Sequence, residues 1–153
     1  MGQVPLLEIG LPLDGLPPIA DATSEGTAEQ PVWSQNIKHA RLTFFANELL
    51  EVDFHPRTVL SVETVRELWG LADARLERKV KYLLVDVCGI DSVKPNVTAL
   101  IDPMTEGMRT ALLGSGPADR VLARFFMRKV DPARRYMYVE SRQDALAFFH
   151  EDD

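Results

Sequence analysis

Among the side chains able to do chemistry, a thiol and three imidazoles come first. Cys88 is the one cysteine, and His39, His55 and His150 are the three histidines. Zinc sites announce themselves by closely paired Cys and His, and here even His39 and His55 stand 16 positions apart, so no metal is expected. A nucleophilic thiol needs a base or a positive field to form thiolate. Nothing near Cys88 supplies one, and beside Gly89 it reads as a packing residue. The carboxylate pairs Asp91/Asp102 and Glu63/Glu67 could exchange protons only if the fold gathered them in a pocket, which their spacing does not require. No catalytic residue and no cofactor is assigned.

Two further patterns involve anions. Gly114-Ser115-Gly116 ahead of a helix suggests a phosphate cradle, because helix amides attract anions. The third position of a G-x-G-x-x-G is Asp119, which repels phosphate, and no P-loop lysine follows. A turn opening a helix is the better reading. Arg120, Arg124 and Arg128 recur every four residues, with Lys129 beside them. Residues 120–135 hold six basic side chains against one acid, Asp131. On a helix the arginines align as one stripe. That stripe is either a solvated face or a docking patch for an acidic partner, the protein's own acidic segment included.

The elements carrying these residues emerge from charge and hydropathy. The chain has 153 residues and a net charge of −6, which sets aside nucleic-acid binding driven by net charge. No apolar run reaches the roughly 18 residues of a membrane helix. The absence of Lys or Arg before Lys38 argues against a secretory signal. A lone cysteine suits the reducing cytoplasm. Residues 1–35 hold five acids, no base and five of the ten prolines. They read as an irregular acidic arm ahead of a domain spanning 36–153, since such dense proline prevents a long helix. Leucines and isoleucines between Leu6 and Ile19 make this arm too apolar for a free linker, so it is expected to dock.

From residue 40 the pattern is regular. Arg41–Phe45 and Leu49–Phe54 form a hairpin across Ala46-Asn47-Glu48. Ser61 caps a helix whose face is Val62, Val65, Leu68, Trp69, Ala72 and Leu76. The apolar centre of Lys79–Val87 suits a strand covered on both faces. A short helix follows from about Pro95 and ends or kinks near Asp102, before Pro103. Arg109–Leu113 is a strand, and the next helix buries Val121, Leu122, Phe125 and Phe126. Arg135–Val139 is the last strand, and Ser141 with Asp144 caps a final helix burying Ala145, Phe148 and Phe149. The order ββαβαβαβα predicts an α/β fold with a mixed sheet and parallel crossovers.

That order, with Asp86 ending a strand, Phe125-Phe126 before Pro132 and an aromatic last helix, resembles the STAS domain. This SpoIIAA-like fold is shared by anti-sigma-factor antagonists and the cytoplasmic ends of sulfate transporters. The resemblance covers roughly residues 38–150 and is nearest to stand-alone bacterial STAS-like proteins. It implies a regulatory domain whose switch is a phosphorylated serine at a helix start. The equivalent loop here is Lys94-Pro95-Asn96-Val97, in which Pro95 and Asn96 cannot accept phosphate. Thr98, two residues on, is the remaining hydroxyl. The expected function is therefore a cytoplasmic, non-enzymatic protein-interaction module, open to homodimerisation, without the serine switch. The alternative is a small-molecule or lipid carrier with a pocket between helices and sheet, lined by Trp69, Met104, Phe125 and Phe126.

Overall fold

A computed structural model describes residues 30–76 and 79–151. The elements are β1 (Pro31–Asn36), β2 (Ala40–Phe45), β3 (Leu49–Phe54), β4 (Thr58–Leu60), α1 (Val62–Arg75), β5 (Tyr82–Asp86), β6 (Ile90–Val93), α2 (Val97–Met104), β7 (Arg109–Leu113), α3 (Pro117–Lys129), β8 (Arg135–Val139) and α4 (Arg142–Phe149). Six strands form one sheet in the order β1-β2-β3-β5-β7-β8. The β1–β2–β3 meander is antiparallel. From β3 onward neighbouring strands are parallel, joined through helices as the alternating pattern requires.

Local chemistry accounts for the boundaries. Glu48 closes the three-residue hairpin turn with φ of 70° and donates its backbone N–H to Phe45 O at 3.1 Å. A left-handed residue at this place is the usual way to close such a loop. Ser61 Oγ accepts from Thr64 N at 3.2 Å, and Ser141 Oγ accepts from Asp144 N at 3.0 Å, each satisfying an otherwise orphan helix amide. Pro117 opens α3, where its missing N–H costs nothing.

Side-chain alternation divides the sheet between two cores. Leu42, Leu50, Val52, Leu83 and Leu112 point to one face, where they meet Leu68 of α1, Val97 of α2 and Phe126 of α3. Leu49, Leu84, Ala111 and Val139 point to the other, under Phe148 and Phe149 of α4. Adjacent Leu83 and Leu84 are 4% and 0% exposed, as a doubly covered strand demands.

Three expectations need correction. Residues 31–35, read as the end of an irregular arm, belong to edge strand β1, which pairs with β2. Proline is tolerated there because it opens an edge strand. The docking expected of the arm's remainder, 1–29, lies outside the described residues. A separate two-stranded parallel sheet, β4 with β6, was not anticipated. Without β1, β4 and β6 the order is the expected ββαβαβαβα. Finally, α3 buries Ala123 and Phe126 but leaves Val121 69% and Phe125 42% exposed, so two of the four expected core residues face outward.

Candidate functional site: the outward face of α3

The inner side of α3 is fixed by packing. Ala123 and Phe126 are 0% and 4% exposed and lie in the cluster containing Val87, Val97 and Leu112, with Leu122 and Met127 against its edge. The outer side therefore carries Val121 and Phe125 together with exposed Arg120, Arg124, Arg128 and Lys129. At 1.5 Å per residue the arginine stripe is about 12 Å long.

These cations differ in what they touch. Arg120 donates to Glu140 Oε2 at 2.8 Å and lies over the Tyr138 ring, 5.8 Å from its centroid. The Glu140 carboxylate raises the Arg120 pKa further. Lys129 Nζ sits 5.6 Å from the Phe125 ring centroid, a cation over an exposed aromatic face. Arg124 and Arg128 make no ion pair among the described residues. Past Arg120 the surface continues into an open groove of about 650 Å³ beside edge strand β8, lined by Met137, Tyr138, Glu140 and Phe148. The result is an apolar patch rimmed by positive charge.

The expected switch loop lies elsewhere, at the start of α2. Lys94, Pro95 and Asn96 are exposed, and Lys94 N donates to Leu60 O at 2.8 Å, tying the loop to β4. Asn96 is left-handed, with φ of 73°, and makes no side-chain cap. Thr98 is half-buried in the first turn of the helix.

The remaining candidates have structural partners. Cys88 Sγ approaches Asp119 Oδ2 at 3.3 Å and Ser115 Oγ at 3.6 Å. Desolvation pushes this thiol up to about 11, with Asp86 and Asp119 adding to the rise, although the residue as a whole is exposed. The Gly114-Ser115-Gly116 turn holds its own anion, because Ser115 N donates to Asp119 Oδ2 at 2.9 Å. Asp102 pairs with Arg134 at 3.0 Å and accepts from Asp131 N, bracing the approach to β8. Glu63 and Glu67 are exposed on α1. Among the described residues no group of three or more His, Cys, Asp or Glu side chains is arranged to hold a metal. No helix among them is long and apolar enough to cross a membrane.

Between the sheet and α1–α3 lies an apolar cavity of about 70 Å³, lined by Trp69, Met104 and Phe126 among others. Phe125, expected in that lining, is on the outside. Thr110 Oγ1 in the cavity wall is buried without a partner, while Tyr136 OH and Thr105 Oγ1 satisfy each other at 3.0 Å.

One cluster escaped sequence reasoning. Asp53 of β3 stands opposite Asp86 of β5 in parallel register, on the same sheet face as Glu51. Burial, then Glu51 and Asp86, raise the Asp53 carboxyl from 3.8 to about 6, against the pull of Arg41 and Arg142. The matching Val-Asp endings of the two strands, Val52-Asp53 and Val85-Asp86, are the signal that could have found it.

No family model matches this chain, and no curated protein matches it. Among solved structures it is similar to an uncharacterized protein of the DUF3478 family, with a SpoIIAA-like fold, from Shewanella loihica PV-4. The identity is 15%, the match covers 76% of this chain and 98% of that one, and the TM-score is 0.51. That similarity establishes the expected STAS-like, SpoIIAA-like fold.

Proposed function

Proceeding from that fold, we propose that the protein is a non-enzymatic interaction or regulatory module of the bacterial cytoplasm, and that the outward face of α3 is its working surface. The observation carrying this reading is Phe125, 42% exposed and set among Lys129, Arg124 and Arg128. A large aromatic surface rimmed by cations suits a partner segment that offers carboxylates around apolar side chains. Covering the surface that Val121 and Phe125 still expose would contribute on the order of 1–2 and about 1 kcal/mol respectively before ordering costs. The arginines would set encounter rate and orientation more than affinity. A two-fold pairing of copies through α3 would oppose two arginine stripes, so this face favours a different, acidic partner over a homodimer.

The loop at Lys94–Thr98 offers no serine, and half-buried Thr98 is a poor phosphate acceptor. Binding is therefore not switched by phosphorylation there. The carrier reading has the internal cavity in its favour. At about 70 Å³, however, that space is a fraction of the roughly 300 Å³ or more typical of small-molecule sites.

A photo-crosslinking residue placed at Val121 in host cells tests the proposal, with Glu67 on α1 as the control position. Adducts from position 121 alone, mapped to an acidic apolar segment, are expected. Equal adduct patterns from both positions, or none from position 121, would refute it.

A further inference from the structure

The groove past Arg120 gives the docking face a binding mode. Resting on the reading of α3 as the working surface, we propose that the partner segment adds to β8 as a further strand of the sheet. Its residues alternate, with carboxylates turned toward α3 and apolar or basic side chains turned toward α4.

Backbone geometry leaves this edge open. β8 is an end strand of the sheet. Val139 O accepts from Gly114 N at 3.0 Å, so Val139 directs its backbone polar groups toward β7. Strand alternation turns Arg135 and Met137 the same way and directs the N–H and C=O of Tyr136 and Tyr138 outward. No described strand meets them there. Sheet edges are commonly guarded by proline, bulges or inward charge. β1, at the opposite edge, opens with Pro31 and breaks register between Pro31 and Trp33. β8 contains no proline and keeps unbroken register with β7 from Arg135 to Val139. Its edge is shaped for pairing.

The two sides of the edge differ in charge. α3 packs on β8, and Arg120, paired with Glu140, lies over the Tyr138 ring. Arg124 follows one turn later and makes no ion pair among the described residues. On the α4 side the groove presents exposed Met137 and Ala147 between Asp144 and Glu151. Every second residue of an added strand faces the same side, about 6.6 Å apart. Arg120 and Arg124 stand about 6 Å apart along the helix, so successive carboxylates keep step with them. Slipping such a strand by one residue would set its carboxylates against Asp144 and Glu151, which fixes the face it presents. A second copy joining through its own β8 would bring its α3, and a second set of arginines, alongside the first. A separate acidic segment is therefore the fitting occupant.

The test is amide hydrogen exchange on the full chain, with the acetylated and amidated peptide Glu-Val-Glu-Val-Glu-Val-Glu as the probe. In the free protein the amides of Tyr136 and Tyr138 should exchange faster than those of Met137 and Val139. Saturating peptide should slow Tyr136 and Tyr138 by about tenfold or more. Arg124→Glu should weaken peptide binding roughly fivefold, and a peptide with Gln at every Glu position should lose about as much. Exchange at Tyr136 and Tyr138 that the peptide leaves unchanged, or that Glu and Gln peptides slow equally, would overturn the proposal. Slow exchange at both amides in the free chain would show the edge already paired, by a second copy if it depends on protein concentration and by the chain itself if not. Either result overturns the proposal equally. The crosslinking test at Val121 fails independently. Adducts without edge protection leave the α3 surface standing without strand addition, and edge protection without adducts leaves strand addition without the module reading.

Discussion

Replacing Asp53 by Asn should stabilise the protein at neutral pH and do little in acid. Asp53 faces Asp86 across parallel strands and shares its sheet face with Glu51, which together with burial raises its carboxyl from 3.8 to about 6. Between these two values the folded chain holds a proton that the unfolded chain has released. Stability therefore falls as pH rises through that window, and the penalty is complete above about 6. At 1.36 kcal/mol per pH unit the gap corresponds to at most about 3 kcal/mol. Asp53 is only half-buried, so screening by water reduces this to about 1–1.5 kcal/mol. Asparagine keeps the shape and removes the charge. Urea denaturation of both proteins should show Asp53→Asn more stable by that amount at about pH 7.5, with the difference falling below about 0.5 kcal/mol near pH 4. A difference that is independent of pH, or a less stable variant at about pH 7.5, would refute the reasoning.

Other expectations follow from the packing. Gly89→Ala should cost about 1–3 kcal/mol in the same assay, because a Cβ there meets the backbone oxygen of Phe54 and that of His55 at 2.6 Å, neither of which can swing aside. Phe126→Ala should cost about 3–5 kcal/mol while Phe125→Ser costs about 1–1.5, since Phe126 is in the core and Phe125 is 42% exposed. The two costs would be similar if α3 packed as its apolar pattern suggests. Cys88, with its thiol pushed up to about 11, should alkylate roughly 10-fold more slowly at mildly alkaline pH than an unperturbed cysteine, the scarcity of thiolate being partly offset by its greater nucleophilicity, as followed by mass spectrometry. Cys88→Ser should leave the fold and any cellular role intact; a rapidly modified thiol or loss of function in a folded variant would contradict this.

Elements with strong local signals were legible in the residues. The Leu49–Phe54 alternation, the Ser61 and Ser141 caps and the doubly apolar Leu83-Leu84 pair each specify their structure within a few positions. β4 and β6 were not, because three and four residues carry too little periodicity to separate a strand from a loop. β1 was obscured by Pro31 and by its edge position, which exposes Val32 and removes the apolar run of a central strand.

The arginines lie exposed along α3, while the burial expected of their neighbours Val121 and Phe125 is overturned. Phe125 and Phe126 are adjacent, about 100° apart on a helix, so both cannot centre one buried face. Sequence left open which would. Packing chose Phe126 with Ala123, a small residue that lets the helix approach the sheet, and thereby turned Phe125 toward the arginines. The Asp53/Asp86 pairing was missed for another reason: the matching Val-Asp endings hint at it, but the two meet only because β5 pairs with β3, a long-range choice that the local pattern does not fix.

The claim that the outward face of α3 is the working surface is tested most directly in the cell. The chromosomal copy would carry Arg124→Glu and Phe125→Ser together, with urea denaturation showing the purified variant cooperatively folded and within about 2 kcal/mol of the parent. Such cells should reproduce the phenotype of the full deletion, while a matched pair on α1, Arg66→Glu with Glu67→Ser, behaves as wild type. A folded α3 variant that fully replaces the native protein would contradict the account.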